Sequence, residues 1–414
     1  MNKLSQGMLF LVSMIVVIGL LVSCAQSPTP STPAPSGPKV LKIGGIAPLS
    51  GPSAMLGEQS QKAIAIYLDI VNEKGLKIGN DVYKLEMVWA DDQFTPQGGV
   101  AAATKLIFSD KVNIISYYIG SGNAAVAAVT NPNKVIFFAR TGGGVIYDPQ
   151  TQPYNVYAIP TREEMSHQVI STVKGMPSVK TVGVLVPIYN KGLAEAGLAN
   201  ATAKMAKFGL EAPIIEYYPQ GALDYTPYLT KMNESKIDLL MCGGTPMDVI
   251  NLCKQRYAMG FKYPVMQTTS IVNLKAYQSA AGEALEGLIS EYCAPWEIKQ
   301  TKVSQQKIEL ARQIQTDWEK KYNEPIKMSA YGWSLHMTSL LIDALQQSGS
   351  TDSDVVMKTI RGGTFDTFKG IFTMSGQKLY GSPVFFGSTC MTSIVKGDQE
   401  VYLGEYPLTN LDEW

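Results

Sequence analysis

Short apolar runs alternate with longer segments of helical periodicity along most of the chain, and this alternation limits the possible folds more than any other feature. Val40 to Ala47 and Lys134 to Ala139 have the length and content of buried strands, whereas Gly98 to Phe108 repeats its apolar residues at helical spacing. Strands separated by helices form right-handed βαβ units. The pattern therefore predicts an α/β protein whose parallel sheet is covered by helices.

The alternation begins again at residue 181, which predicts a second lobe of similar design. Thr181 to Pro187 (TVGVLVP) predicts a buried strand, and Gly192 to Phe208 predicts an Ala-rich helix. Further strands are predicted at Pro213 to Tyr217, Ile237 to Cys242, Pro264 to Thr268 and Leu288 to Tyr292. Ligands of such open sheets bind at the carboxyl ends of the strands, near the topological switch point.

Two loops at predicted strand ends are rich in glycine. Tyr118 to Asn123 (YIGSGN) follows one strand, and Arg140 to Gly144 (RTGGG) follows the next. A nucleotide-binding loop needs a Lys and a hydroxyl residue at fixed spacing after its glycines, and neither stretch has that signature. The two matched loops instead favour an anion site, because unpaired backbone N–H groups at helix N-termini attract negative charge.

The residues that perform catalysis in other proteins do not form a recognised pattern here. Ser121 lacks the Gly-x-Ser-x-Gly spacing of a hydrolase nucleophile. We expect His336 to be packed or half-exposed in its apolar helix, and His167 to be solvated at a polar helix start. Asp91 and Asp92 favour a helix N-cap or loop hydrogen-bond acceptors over a metal site. The chain therefore resembles a binding protein more than an enzyme, with no cofactor and no metal.

Charge and cysteine content narrow the function further. The chain has 35 basic and 35 acidic residues, without the clustered Lys and Arg of a nucleic-acid surface. Four cysteines lie in the predicted lobes, at positions Cys242, Cys253, Cys293 and Cys390. Their spacing is not that of a metal site, so we expect buried free thiols. A disulfide remains an alternative outside the cytoplasm, although its pairing does not follow from sequence.

The beginning of the chain predicts export and a membrane tether. Lys3 and the apolar stretch Met8 to Val22 form a targeting segment that is short for a membrane-spanning helix. Leu21 to Cys24 resembles a bacterial lipoprotein box, in which Cys24 is lipidated after cleavage; a plain signal anchor is the alternative. Residues 25–39 are rich in Pro, Ser and Thr and predict a flexible tether.

Two longer stretches carry a resemblance to a known family. Ile43 to Gly75 (IGGIAPLSGPSAMLGEQSQKAIAIYLDIVNEKG) and Val88 to Ile107 (VWADDQFTPQGGVAAATKLI) resemble the start of a type I periplasmic binding protein. The similarity is greatest to the leucine/isoleucine/valine-binding branch of solute receptors for ABC importers. It implies two Rossmann-like, doubly wound lobes joined by three hinge crossovers, near Pro160, Leu288 and Gly376. Lobe 1 would comprise residues 40–160 and 289–373, and lobe 2 residues 161–288 and 374–414.

The resemblance also implies a ligand site between the lobes. In lobe 1, Ser121 and the loop with Thr141, Gly142 and Gly144 would hold a ligand carboxylate. The remaining implied contacts are Leu56, Arg140, Tyr189, Thr245, Thr269 and Tyr331. For Arg140, a surface or interlobe ion pair is the alternative to a ligand contact. Amino-acid receptors of the family pair the ligand ammonium with an acidic residue, and Met266 to Ser270 offers none at the matching place.

These features together predict an extracytoplasmic solute-binding lipoprotein of a branched-chain-amino-acid-type ABC importer. Its ligand would be a small molecule, either an amino acid, an aromatic or aliphatic carboxylate, or an amide. A ligand without a free ammonium is favoured, because a desolvated ammonium without an anion is costly. Its partners would be the permease and ATPase subunits and the membrane that holds its lipid. A ligand sensor of the same fold, and an amide or ester hydrolase, are the alternatives.

Overall fold

A computed structural model describes residues 37–120, 122–140, 148–157, 161–188, 191–219, 221–271, 273–324, 326 and 332–413. Two separate sheets organise this part of the chain, as the repeated alternation predicted. None of the helices in these ranges is long and apolar enough to cross a membrane.

The first sheet is built from the N-terminal half of the described chain. Its strands are β1 Lys39–Ala47, β2 Leu76–Ile78, β3 Asp81–Asp91, β4 Ile114–Tyr117, β5 Ile136–Ala139 and β6 Asn155–Tyr157. Over the described residues their order is β2-β3-β1-β4-β5-β6. The connecting helices are α1 Ala54–Lys74, α2 Pro96–Phe108 and α3 Asn123–Thr130. Strands β4 and β5 are fully buried and parallel, as expected for strands covered by helices on both faces.

The second sheet begins with the repeat of the pattern. Its strands are β7 Thr181–Ile188, β8 Glu211–Pro219, β9 Leu239–Cys242, β10 Val265–Ser270, β11 Leu288–Tyr292, β14 Ser388–Lys396 and β15 Gln399–Leu408. Their order, counted over the described chain, is β15-β14-β11-β10-β9-β7-β8. Its helices are α4 Thr161–Gly175, α5 Lys191–Lys207, α6 Thr226–Glu234, α7 Pro246–Ala258 and α8 Leu274–Ala281. Both lobes therefore have the α/β architecture that was predicted.

The chain between β11 and β14 returns to the first lobe. It contains α9 Gln305–Tyr322, α10 Trp333–Ser348, α11 Ser353–Ile360, the hairpin of β12 Thr364–Thr367 with β13 Gly370–Thr373, and α12 Gln377–Tyr380. Helix α10 is buried along most of its length, and its residues Leu335, Leu340 and Leu341 pack in the core of the first lobe. The described chain thus passes between lobes after β6, after β11 and before β14.

Two of the predicted lobe boundaries differ from the sheets. Residues 289–292, which were assigned to lobe 1, lie in β11 and pair with β10 and β14 of the second sheet. Residues 374–387 were assigned to lobe 2, but Phe385 and Phe386 pack in the first core, and Phe385 forms a parallel bridge to Tyr157. Apolar periodicity marks a segment as buried without indicating which of two cores buries it.

Both histidines are buried, which makes the expectation of a solvated His167 wrong. His167 lies on α4 with its Nε2 atom 2.5 Å from the Tyr406 carbonyl oxygen of β15. His336 lies inside α10, where its Nε2 atom is 3.0 Å from the Gly387 carbonyl oxygen. Burial lowers the pKa of His167 to about 4 and that of His336 to about 3.

The cysteine expectation is confirmed within the described residues. Cys242, Cys253 and Cys293 are buried free thiols. Cys390 is buried as well, and its sulfur lies 3.9 Å from the Met391 carbonyl oxygen. Burial raises the pKa of the Cys253 and Cys293 thiols to about 12, so both remain protonated and unreactive at neutral pH.

The buried histidines predict a loss of stability on acidification. In the unfolded chain an imidazole binds a proton near pH 6.5, whereas the folded protein keeps His167 neutral to about pH 4 and His336 to about pH 3. Their contribution is fully present above pH 6.5 and falls below it, by at most about 1.4 kcal/mol per pH unit for each residue. Urea unfolding at pH 7.5, 6.0 and 5.0 measures this slope.

The control for this prediction is the pair of variants His167→Gln and His336→Gln. Glutamine keeps an N–H donor for the carbonyl oxygens of Tyr406 and Gly387 but does not titrate. We expect each variant to flatten the dependence of unfolding free energy on pH. An unchanged slope in the double variant would contradict the assignment.

Candidate functional site

The first lobe has its topological switch point between β1 and β4. These strands are parallel neighbours, with Ile46 opposite Tyr117, but the chain leaves β1 toward β3 and extends from β4 toward β5. The loops after β1 and β4 therefore diverge and leave a crevice at the carboxyl edge of the sheet. Predicted contacts of this lobe follow these strands and the adjacent β5.

The second lobe has a matching switch point between β7 and β9. These strands are also parallel, with Val184 opposite Met241, and the chain turns from β7 to β8 before it returns to β9. Thr245 follows β9, and Thr269 lies near the carboxyl end of the neighbouring strand β10. Two predicted contacts thus share the carboxyl edge of the second sheet.

Part of the predicted site can be followed in the structure. Leu56, Arg140 and Thr245 are described in full, and Thr269 is described by its backbone. The following predicted residues lie outside the described residues: Cys24, Ser121, Thr141, Gly142, Gly144, Tyr189 and Tyr331.

The glycine loop after β4 is built on the ring of Tyr117. The Tyr117 hydroxyl donates to Asp92 and accepts from the Gly122 N–H group at 3.3 Å. A Cβ atom on Gly120 would lie 2.0 Å from two carbons of this ring, which no side chain tolerates. Gly120 is therefore required by packing against Tyr117. The glycine at position 120 is thus explained by packing inside the protein, independently of ligand binding.

The two adjacent aspartates hold the loops in place. Asp91 accepts hydrogen bonds from the Leu49 N–H group at 2.8 Å and from the Ser50 hydroxyl at 2.6 Å, which fixes the chain after β1. Although partial burial opposes it, these bonds lower the pKa of Asp91. The loop-acceptor interpretation is confirmed, whereas the N-cap alternative is wrong, because Thr95 caps α2. Among the described residues, His, Cys, Asp and Glu form no group that could hold a metal ion.

Leu56 joins the first lobe to the second. It lies in the first turn of α1, and together with Met55 it packs against the second lobe's core, which includes Tyr225 and Leu229. The predicted wall position of the first lobe is therefore an interlobe contact in this structure.

Arg140 points toward a carboxylate of the other lobe. It follows β5, and its backbone N–H group donates to the Tyr117 carbonyl oxygen at 3.2 Å. Its guanidinium nitrogen lies 3.9 Å from Glu291 of β11 and stands over the ring of Trp333 at 5.4 Å. The interlobe ion pair, one of the two alternatives for this residue, is present.

Glu291 is the centre of this charged cluster, and sequence reasoning did not single it out. One carboxylate oxygen lies 2.5 Å from the Lys369 ammonium, and the other accepts from the Trp333 indole at 3.3 Å. Lys369 is 0% exposed, and its ammonium also stands over the Trp333 ring at 4.4 Å. The available signal was a glutamate inside the apolar strand LISEY, which must find a partner when it is buried.

Both partners of the buried pair remain charged. Burial opposes ionisation of each group, but Lys369 and then Arg140 lower the pKa of Glu291, and Glu291 in turn raises the pKa of Lys369. Glu291 lies opposite Ser270 at the carboxyl end of β10, and its oxygens are already bonded to protein groups. It is not an open anion for a ligand ammonium.

Thr245 starts helix α7 through a reciprocal capping box. Its hydroxyl accepts from the Asp248 N–H group at 3.3 Å, and the Asp248 carboxylate accepts from the Thr245 N–H group at 2.7 Å. Asp248 is held in turn by the Tyr225 hydroxyl at 2.8 Å. The preceding Gly244 has φ +129°, and a Cβ atom there would lie 2.1 Å from the Tyr218 hydroxyl. The loop after β9 is therefore rigidly shaped at the switch point.

A sequence profile of the periplasmic binding protein family matches residues 40–383. The chain belongs to this family. Its two doubly wound lobes and three crossovers are the type I form of the fold. The chain is 25% identical over 253 residues to the Leu/Ile/Val-binding protein homolog 3 of Brucella melitensis, a match that covers 60% of this chain and 66% of the relative. It thus spans slightly less than two thirds of that relative's length.

Solved structures share the fold at low identity. The branched-chain amino acid transporter substrate binding protein of Streptococcus pneumoniae, in complex with isoleucine, is 18% identical with a TM-score of 0.69, covering 89% of this chain and 100% of its own. A solute binding protein of an ABC transporter from R. palustris, in complex with benzoate, is 17% identical with a TM-score of 0.69 and covers 90% and 98%. These relatives are binding proteins rather than enzymes.

The two histidines also bear on the hydrolase alternative. Each imidazole is buried and bonded to a backbone carbonyl oxygen, His167 in the second lobe and His336 in the first. The sequence contains no other histidine. Each imidazole is therefore held by a backbone carbonyl oxygen inside its own lobe.

The buried ion pair predicts that removing one charge destabilises the protein much more than removing both charges. Lys369→Met leaves the Glu291 carboxylate buried without its closest partner, so we expect a loss of about 3–5 kcal/mol of unfolding free energy. The double variant Lys369→Met, Glu291→Leu removes both charges and should recover most of this loss. Urea unfolding at constant pH measures both values.

The matched control is the exposed pair of Lys134 and Asp354, whose nitrogen and oxygen lie 3.0 Å apart. Lys134→Met should change the stability little, because exposed ion pairs are screened by solvent. If Lys369→Met were as mild as Lys134→Met, the cluster would not have the structural role assigned to it.

Proposed function

We propose that the protein is an extracytoplasmic solute-binding protein of a branched-chain-amino-acid-type ABC importer, anchored by a lipid on Cys24. The observation that supports the proposal is that Leu56, in the helix after β1, packs on the core of the second lobe, and Arg140, after β5, lies 3.9 Å from Glu291 of the second sheet. Ligands of open α/β sheets bind at topological switch points. The family membership and the names of the relatives support the same function.

The ligand in this proposal is a small carboxylate or amide without a free ammonium. Met266 to Ser270 contains no acid, and Glu291 is already bonded to Lys369 and Trp333. A buried ammonium would therefore lack an anion, at a cost of several kcal/mol or a forced loss of its proton. The benzoate complex of the R. palustris protein gives an example of a ligand of this class on the same fold.

The proposed contacts divide between the two edges. Ser121, Thr141, Gly142 and Gly144 would bind the polar group through backbone and hydroxyl donors, with Arg140 beside them. Leu56, Tyr189, Thr245, Thr269 and Tyr331 would form the remaining walls. Binding would favour a closed state by hinge bending at the crossovers, and the closed protein would dock on the permease while the ATPase supplies the work.

A ligand panel tests this function. Isoleucine, benzoate, benzamide, isovalerate and isovaleramide are added to the purified protein, and thermal unfolding is followed. A ligand at 100 times its Kd should add about 2.7 kcal/mol to the unfolding free energy. Isothermal calorimetry then gives the affinity. Absence of binding across amino acids, aromatic acids, short carboxylates and amides would contradict the proposal.

A second experiment tests the proposed contacts with the ligand that binds. Ser121→Ala and Tyr189→Ala should each weaken binding, by roughly 1–3 kcal/mol for loss of a buried hydrogen bond or aromatic contact. Tyr257→Ala serves as the control, because Tyr257 is exposed at the far end of α7. If both site variants bind like the Tyr257 variant, the residues carried over from the family are wrong.

A further inference from the structure

Asn123 is a buried polar residue at the edge of the proposed site. It is the first residue of α3 and directly follows the glycine loop of the first switch point. Its side chain is 2% exposed, yet within the described chain neither its Nδ2 nor its Oδ1 atom has a hydrogen-bond partner. A carboxamide offers two donors and one acceptor, and leaving all of them unpaired inside a protein is costly. Such a group calls for a specific explanation.

The position of Asn123 on its helix indicates where the amide lies. Asn123, Val126, Ala127 and Thr130 are the buried residues of α3, so they form the face that packs into the lobe. Side chains on a helix lean toward its N-terminus. The amide at the first position therefore leans past the end of β4, toward the crevice at the switch point. Gly122, the N-cap, provides no side-chain acceptor, so the first N–H groups of α3 face the same place.

A second buried asparagine in the same lobe provides the contrast. Asn155 of β6 is 0% exposed, and its Nδ2 donates to Gln152 at 3.0 Å and to the Tyr157 hydroxyl at 2.9 Å. Its Oδ1 accepts from Asn131 at 2.7 Å. Asn155 is thus paired at both ends by protein groups, as buried amides usually are. Asn123 differs in that both ends of its amide lack partners, at an edge where the ligand is proposed to bind.

We propose that Asn123 reads the head group of the ligand, with Nδ2 donating to an oxygen and Oδ1 accepting from an N–H group. This inference rests on the proposed function and narrows its ligand class. A carboxylate only accepts hydrogen bonds, so it would satisfy Nδ2 and leave Oδ1 unpaired. A primary carboxamide has an acceptor and a donor on adjacent atoms and pairs with both ends of the Asn123 amide. The favoured ligands are therefore small primary amides.

The first test needs no ligand. Asn123→Leu replaces an unpaired amide by an apolar group of similar size, so the ligand-free protein should gain stability, with a midpoint of thermal unfolding higher by about 1–3 °C. Asn155→Leu breaks three hydrogen bonds and should lower the midpoint or prevent folding. An Asn123→Leu variant that is less stable than the wild type, or unfolded, would overturn the inference, because a structural asparagine behaves in that way.

The second test uses the matched pairs benzamide with benzoate and isovaleramide with isovalerate. We expect the wild type to bind the amide of a pair at least tenfold more tightly than the acid, and Asn123→Leu to lose that preference. Equal or tighter binding of the acids, unaffected by Asn123→Leu, would overturn the inference and leave the proposed function intact. Absence of binding by the wild type across the whole panel would instead contradict the proposed function, while the stability comparison still decides the role of Asn123.

Discussion

The contact between Glu291 and Lys369 determines how the two lobes meet. Glu291 belongs to the second sheet, and Lys369 belongs to the turn of the β12–β13 hairpin, which packs on the first core. Desolvation makes such a pair a poor source of stability, but its geometry is demanding, because either charge left alone in the interior is costly. The pair therefore holds the end of β11 at one place against the first lobe.

The remaining parts of the cluster follow from this constraint. The second oxygen of Glu291 accepts from Trp333, the first residue of α10, and lies near Arg140, which follows β5. Two elements at the interlobe side are thus positioned by one carboxylate from the other lobe. In the same arrangement both oxygens of Glu291 are bonded to protein groups, Lys369 and Trp333.

Sequence pattern predicted the elements well and their assignment to lobes less well. The strand over Leu288 to Tyr292 was predicted with its observed bounds, because apolar spacing reports burial directly. The same spacing does not report the partner of a buried strand. Hence residues 289–292 of β11 were predicted in lobe 1, although this strand belongs to the second sheet. Likewise, Phe385 and Phe386 were predicted in lobe 2, although they pack in the first core. Such pairings depend on contacts between residues far apart in the chain.

The predictions for the candidate site were also correct where a role depends on neighbouring residues, and they failed where it depends on a distant part of the chain. The role of Asp91 as a loop acceptor followed from its place at a strand end, and it was predicted. His167 was expected in solvent because its neighbours along the chain are polar, whereas a strand from the far end of the chain buries it. Gly120 lies in a loop that was predicted to be part of an anion site, but its packing on the Tyr117 ring could not be inferred without the fold. Distant partners of a residue leave no mark in its local sequence.

The position of β14 and β15 has a consequence for how the chain reaches its native state. Both strands come from the last part of the chain, yet they complete the sheet that begins at β7, and β15 packs along α4. During synthesis, the chain up to the end of β11 at Tyr292 contains a second lobe that lacks one side of its sheet. Its exposed β11 edge is a site for incorrect strand pairing until the chain is complete. Completion of this sheet therefore depends on pairings between residues far apart in the chain, a class of contact that generally forms slowly.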